Sequence, residues 1–298
     1  METDMNTYSR HMLETARGAR DYLAAANEMI ADFILSCQNS DGGFRGRARE
    51  SDSYYTAFAA DCLAITGHPL PEERLIPYIT SQSTNPCDLI HAACLARCLA
   101  HISDRTLHES LRPHVAGWIE EYRVTGEGYC TSLDQHSGTP YGCFLALTAY
   151  QDVGLPFPAA DEIAGCLERV LTPGQGYGNE PGMPHGTVSA TAAALMLQHS
   201  CGLPINQVAC IWLLAQQDSL GGFRSSPLAP SADLLSTAVT LYILHVAGVS
   251  IDRHAPECQA FVEGMWDDRG GFRGHALDSI PDCEYTFYGL LALGCLVV

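Results

Sequence analysis

The sequence predicts an all-α protein: an (α/α)6 toroid of six helical hairpins around a central apolar cavity, one domain over 1–298 with 1–17 as an N-terminal extension. A phrase that returns along the chain, the alternation of amphipathic with wholly apolar segments, and the apolar last unit predict it.

The phrase is clear three times. Gln38-Asn-Ser-Asp-Gly-Gly-Phe44-Arg45 precedes Asp52 and Thr56, Gln217-Asp-Ser-Leu-Gly-Gly-Phe223-Arg224 precedes Asp233 and Thr237, and Trp266-Asp-Asp-Arg-Gly-Gly-Phe272-Arg273 precedes Asp282 and Thr286. The Thr follows the Asp by four each time. Weaker copies run from Gly126-Glu-Gly-Tyr129 to Tyr141 and from Gly174-Gln-Gly-Tyr177 to Thr187, and Asn85-Pro-Cys-Asp88 opens a further apolar stretch. Together they make about six units of roughly 45 residues, the period of helical arrays.

Each unit reads as two helices. Segments 21–38, 72–83, 106–123, 159–171, 205–217 and 255–266 carry apolar residues at i, i+3, i+4 spacing with a polar face, as outer helices do. Segments 52–66, 87–102, 139–153, 187–201, 232–247 and 282–296 are apolar nearly all round, which suits helices buried on every side. Gly67-His-Pro69, Gly154-Leu-Pro156 and Gly202-Leu-Pro204 are stop and start signals between pairs. An open solenoid needs polar terminal caps. The last unit ends in Leu296-Val-Val, as apolar as the middle ones, so closure into a ring is expected.

Sixteen basic against 34 acidic residues give a net charge of −18, which argues against nucleic acid and anionic membrane surfaces as partners. The run Leu290–Val298 is too short to span a bilayer. Thirteen cysteines lie singly inside apolar stretches, and the first 20 residues carry Glu2, Asp4, Arg10, Glu14, Arg17 and Arg20 rather than an export core. Reduced thiols in a cytoplasmic protein are therefore expected.

In a closed ring the inner-helix N-termini converge on one mouth, placing Asp52, Asp88, His185, Asp233 and Asp282 at its rim. Asp, Ser and Thr are also the usual helix caps, so both a capping and a chemical reading stand for each.

The phrase Asp41-Gly-Gly-Phe-Arg-Gly-Arg47 with Asp52-Ser-Tyr-Tyr-Thr56 resembles the repeat of protein prenyltransferase β subunits and of squalene and terpene cyclases. Gln38 and Gln217 before Gly-Gly-Phe are similar to the Gln-aromatic repeats of the cyclases. The resemblance covers nearly all of the chain, with three units matching well, and implies a toroid with an isoprenoid-binding cavity. Prenyltransferases hold zinc through Asp-x-Cys-Tyr-Ser and Asp-x-x-His-Thr. Here Leu235 and Tyr285 stand where the Cys and His would be. A displaced zinc site is conceivable from Asp52, Cys87 and His91, since Cys87 and His91 share a helix face and the three donors suit zinc. Squalene-type cyclases draw their acid from Asp-x-Asp-Asp-Thr. Asp282-Cys-Glu284-Tyr285-Thr286 has that spacing, with Glu284 in the acid position.

The expected catalytic carboxyls are thus Asp282, Glu284, Asp52 and Asp233. Tyr54, Tyr55, Tyr141, Tyr285 and Tyr288 are candidate cation-stabilising rings. His185 resembles the His-Gly segment with which prenyltransferases contact diphosphate, and Arg45, Arg47 and Arg49 resemble their basic loop. These readings favour an isoprenoid-processing enzyme binding a hydrophobic prenyl chain, with acid-initiated cyclisation preferred. Zinc-dependent prenyl transfer, a glycan-active toroid and a non-catalytic lipid- or partner-binding toroid are the alternatives. The lack of basic charge leaves room for a helical partner subunit.

Overall fold

The computed structural model describes residues 7–84 and 88–297. After α1 (Tyr8–Arg17) and α2 (Ala19–Tyr22) come six hairpins. These are α3 (Asn27–Ser36) with α4 (Ser53–Thr66), α5 (Glu72–Gln82) with α6 (Leu89–His101), and α7 (Arg105–Glu120) with α8 (Pro140–Asp152). They continue as α9 (Ile163–Val170) with α10 (Val188–Ser200), α11 (Gln207–Leu214) with α12 (Leu234–Val246), and α13 (Ala255–Gly264) with α14 (Cys283–Leu296). The even-numbered helices from α4 form the inner ring. Each packs on the next, and α14 packs on α4, so the ring is closed. The inner spans lie close to the expected ones. The expected segment 21–38 differs most, because α3 begins only at Asn27 after a separate short α2 and a turn.

All six inner helices start on a side-chain cap. Asp52, Asp88, Thr139, Thr187, Asp233 and Asp282 accept from the amides of Tyr54, His91, Gly142, Ala190, Ser236 and Tyr285. Each such cap contributes about 1 kcal/mol. The cap of the fourth unit is Thr187, not His185.

The recurrent Thr has a second job. Phe44, Phe223 and Phe272 donate their backbone N–H to Oγ1 of Thr56, Thr237 and Thr286 at 2.9, 2.9 and 3.1 Å. Each of these hydroxyls donates in turn to the carbonyl of its capping Asp. Tyr177 uses Thr191 in the same way, and Tyr129 uses Cys143 Sγ at 3.2 Å. The turn glycines join neighbouring hairpins. A Cβ on Gly42 or Gly221, both at positive φ, would lie 1.9 or 2.1 Å from the carbonyl oxygen of Arg74 or Glu257 in the next outer helix. Gly270 of the last hairpin makes the matching approach to Met29 of the first, so the outer ring closes by the same contact that builds it.

Helix α1, expected as a mere extension, lies across the C-terminal ends of the inner helices and packs on α4, α8 and α14. Tyr8 Oη donates to the Met196 carbonyl, Ser9 Oγ donates to Asp152, and His11 Nδ1 pairs with Tyr242 Oη at 2.7 Å. One end of the barrel is thereby floored. Among the described residues every cysteine is free, and all but Cys201 are buried. No described helix is long and apolar enough to cross a membrane.

Replacing Thr286 with Val keeps the side-chain shape but leaves the buried Phe272 N–H without an acceptor. Thr286→Val is expected to lose about 1–3 kcal/mol in urea unfolding, with Thr286→Ser retaining most of the stability.

Candidate functional site

The inner ring encloses a cavity of about 330 Å³, at the small end of ligand sites. Phe58, Phe144, Leu145, Val239, Phe287 and Leu291 supply apolar wall, and Ala93, Ala192 and Ala193 give it width. The rings make a continuous cluster on the α4–α14 side. Tyr54 meets Phe58 at 5.0 Å between centroids, and Phe58 meets Phe287 at 5.4 Å and Tyr288 at 5.6 Å.

Of the expected aromatic residues, Tyr54, Tyr141 and Tyr288 line the cavity. Tyr55 and Tyr285 do not. Their rings lie against Gly46 and Gly274, where any Cβ would strike them, so they support the rim loops.

The structure gives the four expected carboxyls different settings. Glu284, in the first turn of α14, is buried and accepts from Tyr54 Oη at 2.6 Å. Burial pushes its pKa up to about 6 even though the Tyr54 hydrogen bond pulls the other way. Asp282 is buried beneath Arg47, whose Nε donates to it at 3.1 Å while Nη2 holds Asp278. Burial raises the Asp282 pKa, and the Tyr285 amide and Arg47 counter it. Asp233 has one oxygen on the Ser236 amide and the other on the Ser236 hydroxyl. Asp52 is held below the usual carboxylate range, first by its hydrogen bond to His91.

His91 joins two hairpins. Its Nε2 faces Asp52 at 3.2 Å and its Nδ1 faces Asp88 at 2.7 Å. The Asp52 hydrogen bond leads in raising its pKa to about 9, so at neutral pH the ring is an imidazolium with both nitrogens engaged. Cys87, the third member of the expected metal set, lies outside the described residues. Among the described residues no group of three His, Cys, Asp or Glu side chains is arranged to hold a metal.

The basic loop is dispersed. Arg47 is committed to Asp278 and Asp282, Arg45 reaches the Ser36 carbonyl at 3.3 Å, and Arg49 is exposed. His185 sits in the loop before α10, with Nδ1 3.2 Å from the Gly186 carbonyl, and does not line the cavity.

Sequence reasoning missed Arg97, Asp152 and Asn179, which line it together with the hydroxyls of Ser9, Thr148 and Ser189. A signal for the first two existed. Within the apolar inner helices the only Asp, Glu, Lys or Arg residues are Asp61, Arg97, Asp152 and Glu284. Asn179, whose buried Oδ1 has no hydrogen-bond partner, sits in a loop and carries no such mark.

Residues 189–297 match the family model of the prenyltransferase alpha-alpha toroid domain. No curated protein matches the chain. Among solved structures, it is similar to the type II terpene cyclase MstE from Scytonema in its apo form, at 14% identity and TM-score 0.63 over 93% of this chain and 97% of that one. A variant of MstE in complex with its substrate, geranylgeranyl dihydroxybenzoate, matches at 12% identity and TM-score 0.59 over 96% and 97%. Candida albicans protein geranylgeranyltransferase-I complexed with GGPP matches at 14% identity and TM-score 0.63, over 91% and 90%. At such identities the likeness is one of fold. The resemblance read from the repeats holds: the chain has the α/α toroid of the prenyltransferase and terpene cyclase structures, and its last repeats match the family model.

The His91 clasp predicts a pH signature. Stabilisation by a histidine whose folded pKa lies near 9 rather than 6.5 is complete below pH 6.5 and is lost as pH rises through 9. The melting-temperature gap between wild type and His91→Gln should therefore be widest below pH 6.5 and close by about pH 10.

Proposed function

We propose that this protein is an isoprenoid-processing enzyme that folds a prenyl chain into the central cavity and cyclises it by proton transfer from Glu284. The supporting observation is the pairing of an aromatic-walled, closed-ended cavity with a buried carboxyl at its open end. Glu284 stands behind Tyr54, which lines the cavity and donates to it, and its pKa is raised by burial rather than lowered by an ion pair. A carboxyl in that setting keeps its proton nearer neutrality than an exposed one does.

The other parts have consistent roles. Arg47 donates to Asp282, the cap of α14, and counters the burial that raises its pKa, while the charge of Asp282 in turn raises the Glu284 pKa. The rings of Tyr54 and Tyr288 offer electron-rich surface to a cation forming in the chain, while Phe58 and Phe287 are engaged by the Arg97 guanidinium. The walls exclude water that would trap that cation. The cyclase reading is favoured over transfer because both nitrogens of His91 are occupied by carboxylates and Arg47 is occupied by two more.

Incubation with geranylgeranyl and farnesyl substrates, with and without diphosphate, should give a product of unchanged mass and altered retention. Glu284→Gln should abolish it while preserving substrate-induced thermal stabilisation. Because the acid must be protonated, kcat/KM should be level below pH 6 and fall about tenfold per pH unit above it. Full turnover by Glu284→Gln would exclude Glu284 as the acid. Absence of both turnover and stabilisation with every prenyl compound would exclude the isoprenoid reading.

A further inference from the structure

We infer that the closed end of the cavity is a second binding site, built to take an uncharged hydrogen-bond-accepting oxygen carried at the far end of the chain. This deepens the prenyl-chain reading above and rests on it.

Arg97 lies on α6 about 13 Å along the helix axis from the cap at Asp88, faces the cavity, and has a side chain only 15% exposed. Its guanidinium is fixed on three sides. Phe58 and Phe287 bring their rings to 5.1 and 4.7 Å from Cζ, and Nη2 is ion-paired with Oδ2 of the fully buried Asp61. The other Asp61 oxygen is taken by His101 Nε2 at 2.6 Å. Arg97 cannot rotate away without leaving Oδ2 of the buried Asp61 unpaired. Its Nε is buried and has no hydrogen-bond partner.

A buried cation beside an apolar cavity is costly unless its donors are used. Among the described residues those donors have one partner side chain, Asp61, and the guanidinium carries five N–H groups. Deeper still, Asp152 at the end of α8 also lines the cavity, and Ser9 Oγ of the floor helix donates to its Oδ2 at 2.8 Å. Burial pushes the Asp152 pKa to about 7, so near neutrality this carboxyl can itself present a proton.

These facts define the class of ligand group. Arg97 is a donor, and protonated Asp152 is a second one, so the ligand atom is an acceptor. Asp61 already balances the Arg97 charge and would repel an anion, so a neutral oxygen fits: a carbonyl, ether, epoxide or hydroxyl. A hydrocarbon tip would leave the Arg97 donors unpaired, which is how a site of this kind discriminates.

The test compares farnesyl phenyl ether with the same molecule carrying an aldehyde on its terminal methyl, by calorimetric titration of the full-length protein. The bulky phenyl group keeps the head at the mouth. Wild type should bind the aldehyde about 10- to 100-fold more tightly, as for a hydrogen bond to a charged donor. Arg97→Met combined with Asp61→Leu removes both buried charges together and should abolish the preference. Should that double variant fail to fold by circular dichroism, Asp152→Ala provides the second test and should lower the preference. Equal binding of the two probes by wild type would overturn the floor site and leave the prenyl reading intact. A preference that survives unchanged in the double variant, or in Asp152→Ala where that variant is used, would also overturn it. No binding of either probe would overturn both.

Discussion

In five of the hairpins the same small bond recurs: the N–H of the turn aromatic donates into the first turn of the inner helix, to Thr56, Cys143, Thr191, Thr237 or Thr286. A buried backbone N–H has to be satisfied. Meeting that need with an inner-helix side chain ties the depth of the turn to the register of the helix. The aromatic ring then drops between outer and inner layers, and Phe44, Phe223, Phe272, Tyr129 and Tyr177 are all almost fully buried. With turn and helix locked, the capping oxygen must stand at the rim. Repetition around the ring therefore produces a collar of polar caps above an apolar barrel, and everything functional is set against that frame.

This is why the fold was so legible and the site much less so. The Asp-to-Thr spacing of four and the Gly-Gly-Phe turns are requirements of hairpin geometry, repeated often enough to be seen in one sequence. The weaker copies are explained too, since Cys143 does with a sulfur what Thr does elsewhere. The most conspicuous residues of the motif, by contrast, are spent on structure. Asp52 and Asp233 are hydrogen-bonded helix caps, Tyr55 and Tyr285 support loops, and Arg47 is clamped between two carboxylates. Glu284 is legible because Asp282-Cys-Glu-Tyr-Thr286 keeps the spacing of the cyclase motif, with Glu284 in its acid position. Arg97 and Asp152 were missed because their meaning depends on which face of an all-apolar helix looks inward, and periodicity is silent when every face is buried.

The electrostatics separate the two kinds of carboxyl. A chain at −18 has few cations to spare, and several of those it has are used to pin acids at the rim: Arg47 on Asp278 and Asp282, His91 on Asp52 and Asp88. Carboxylates so paired serve as braces between hairpins, and the pairing lowers the pKa of Asp52 and Asp278. Glu284 has only a phenol for a partner, and a phenol whose own pKa burial raises further will not give up its proton to neutralise it. The same collar thus holds carboxyls braced by cations and a carboxyl with no cation bonded to it, set apart by neighbours rather than by residue type.

The floor completes the logic. A ring of six helices is by construction open at both ends, and a tunnel would let a flexible chain slide through in many registers. Helix α1 stops one end, with Tyr8, Ser9 and His11 each bonded to a different inner helix. Because the stop is made from a segment outside the repeat, it can carry chemistry that the repeat cannot vary without damaging every hairpin. Ser9 and Met12 project from it into the cavity, so the segment sets both the depth and part of the polarity of the space. A chain entering by the mouth would then have its length measured from Glu284 at the rim to Arg97 and Asp152 below. The reacting end and the far end would be read by different residues, on elements the fold allows to change independently.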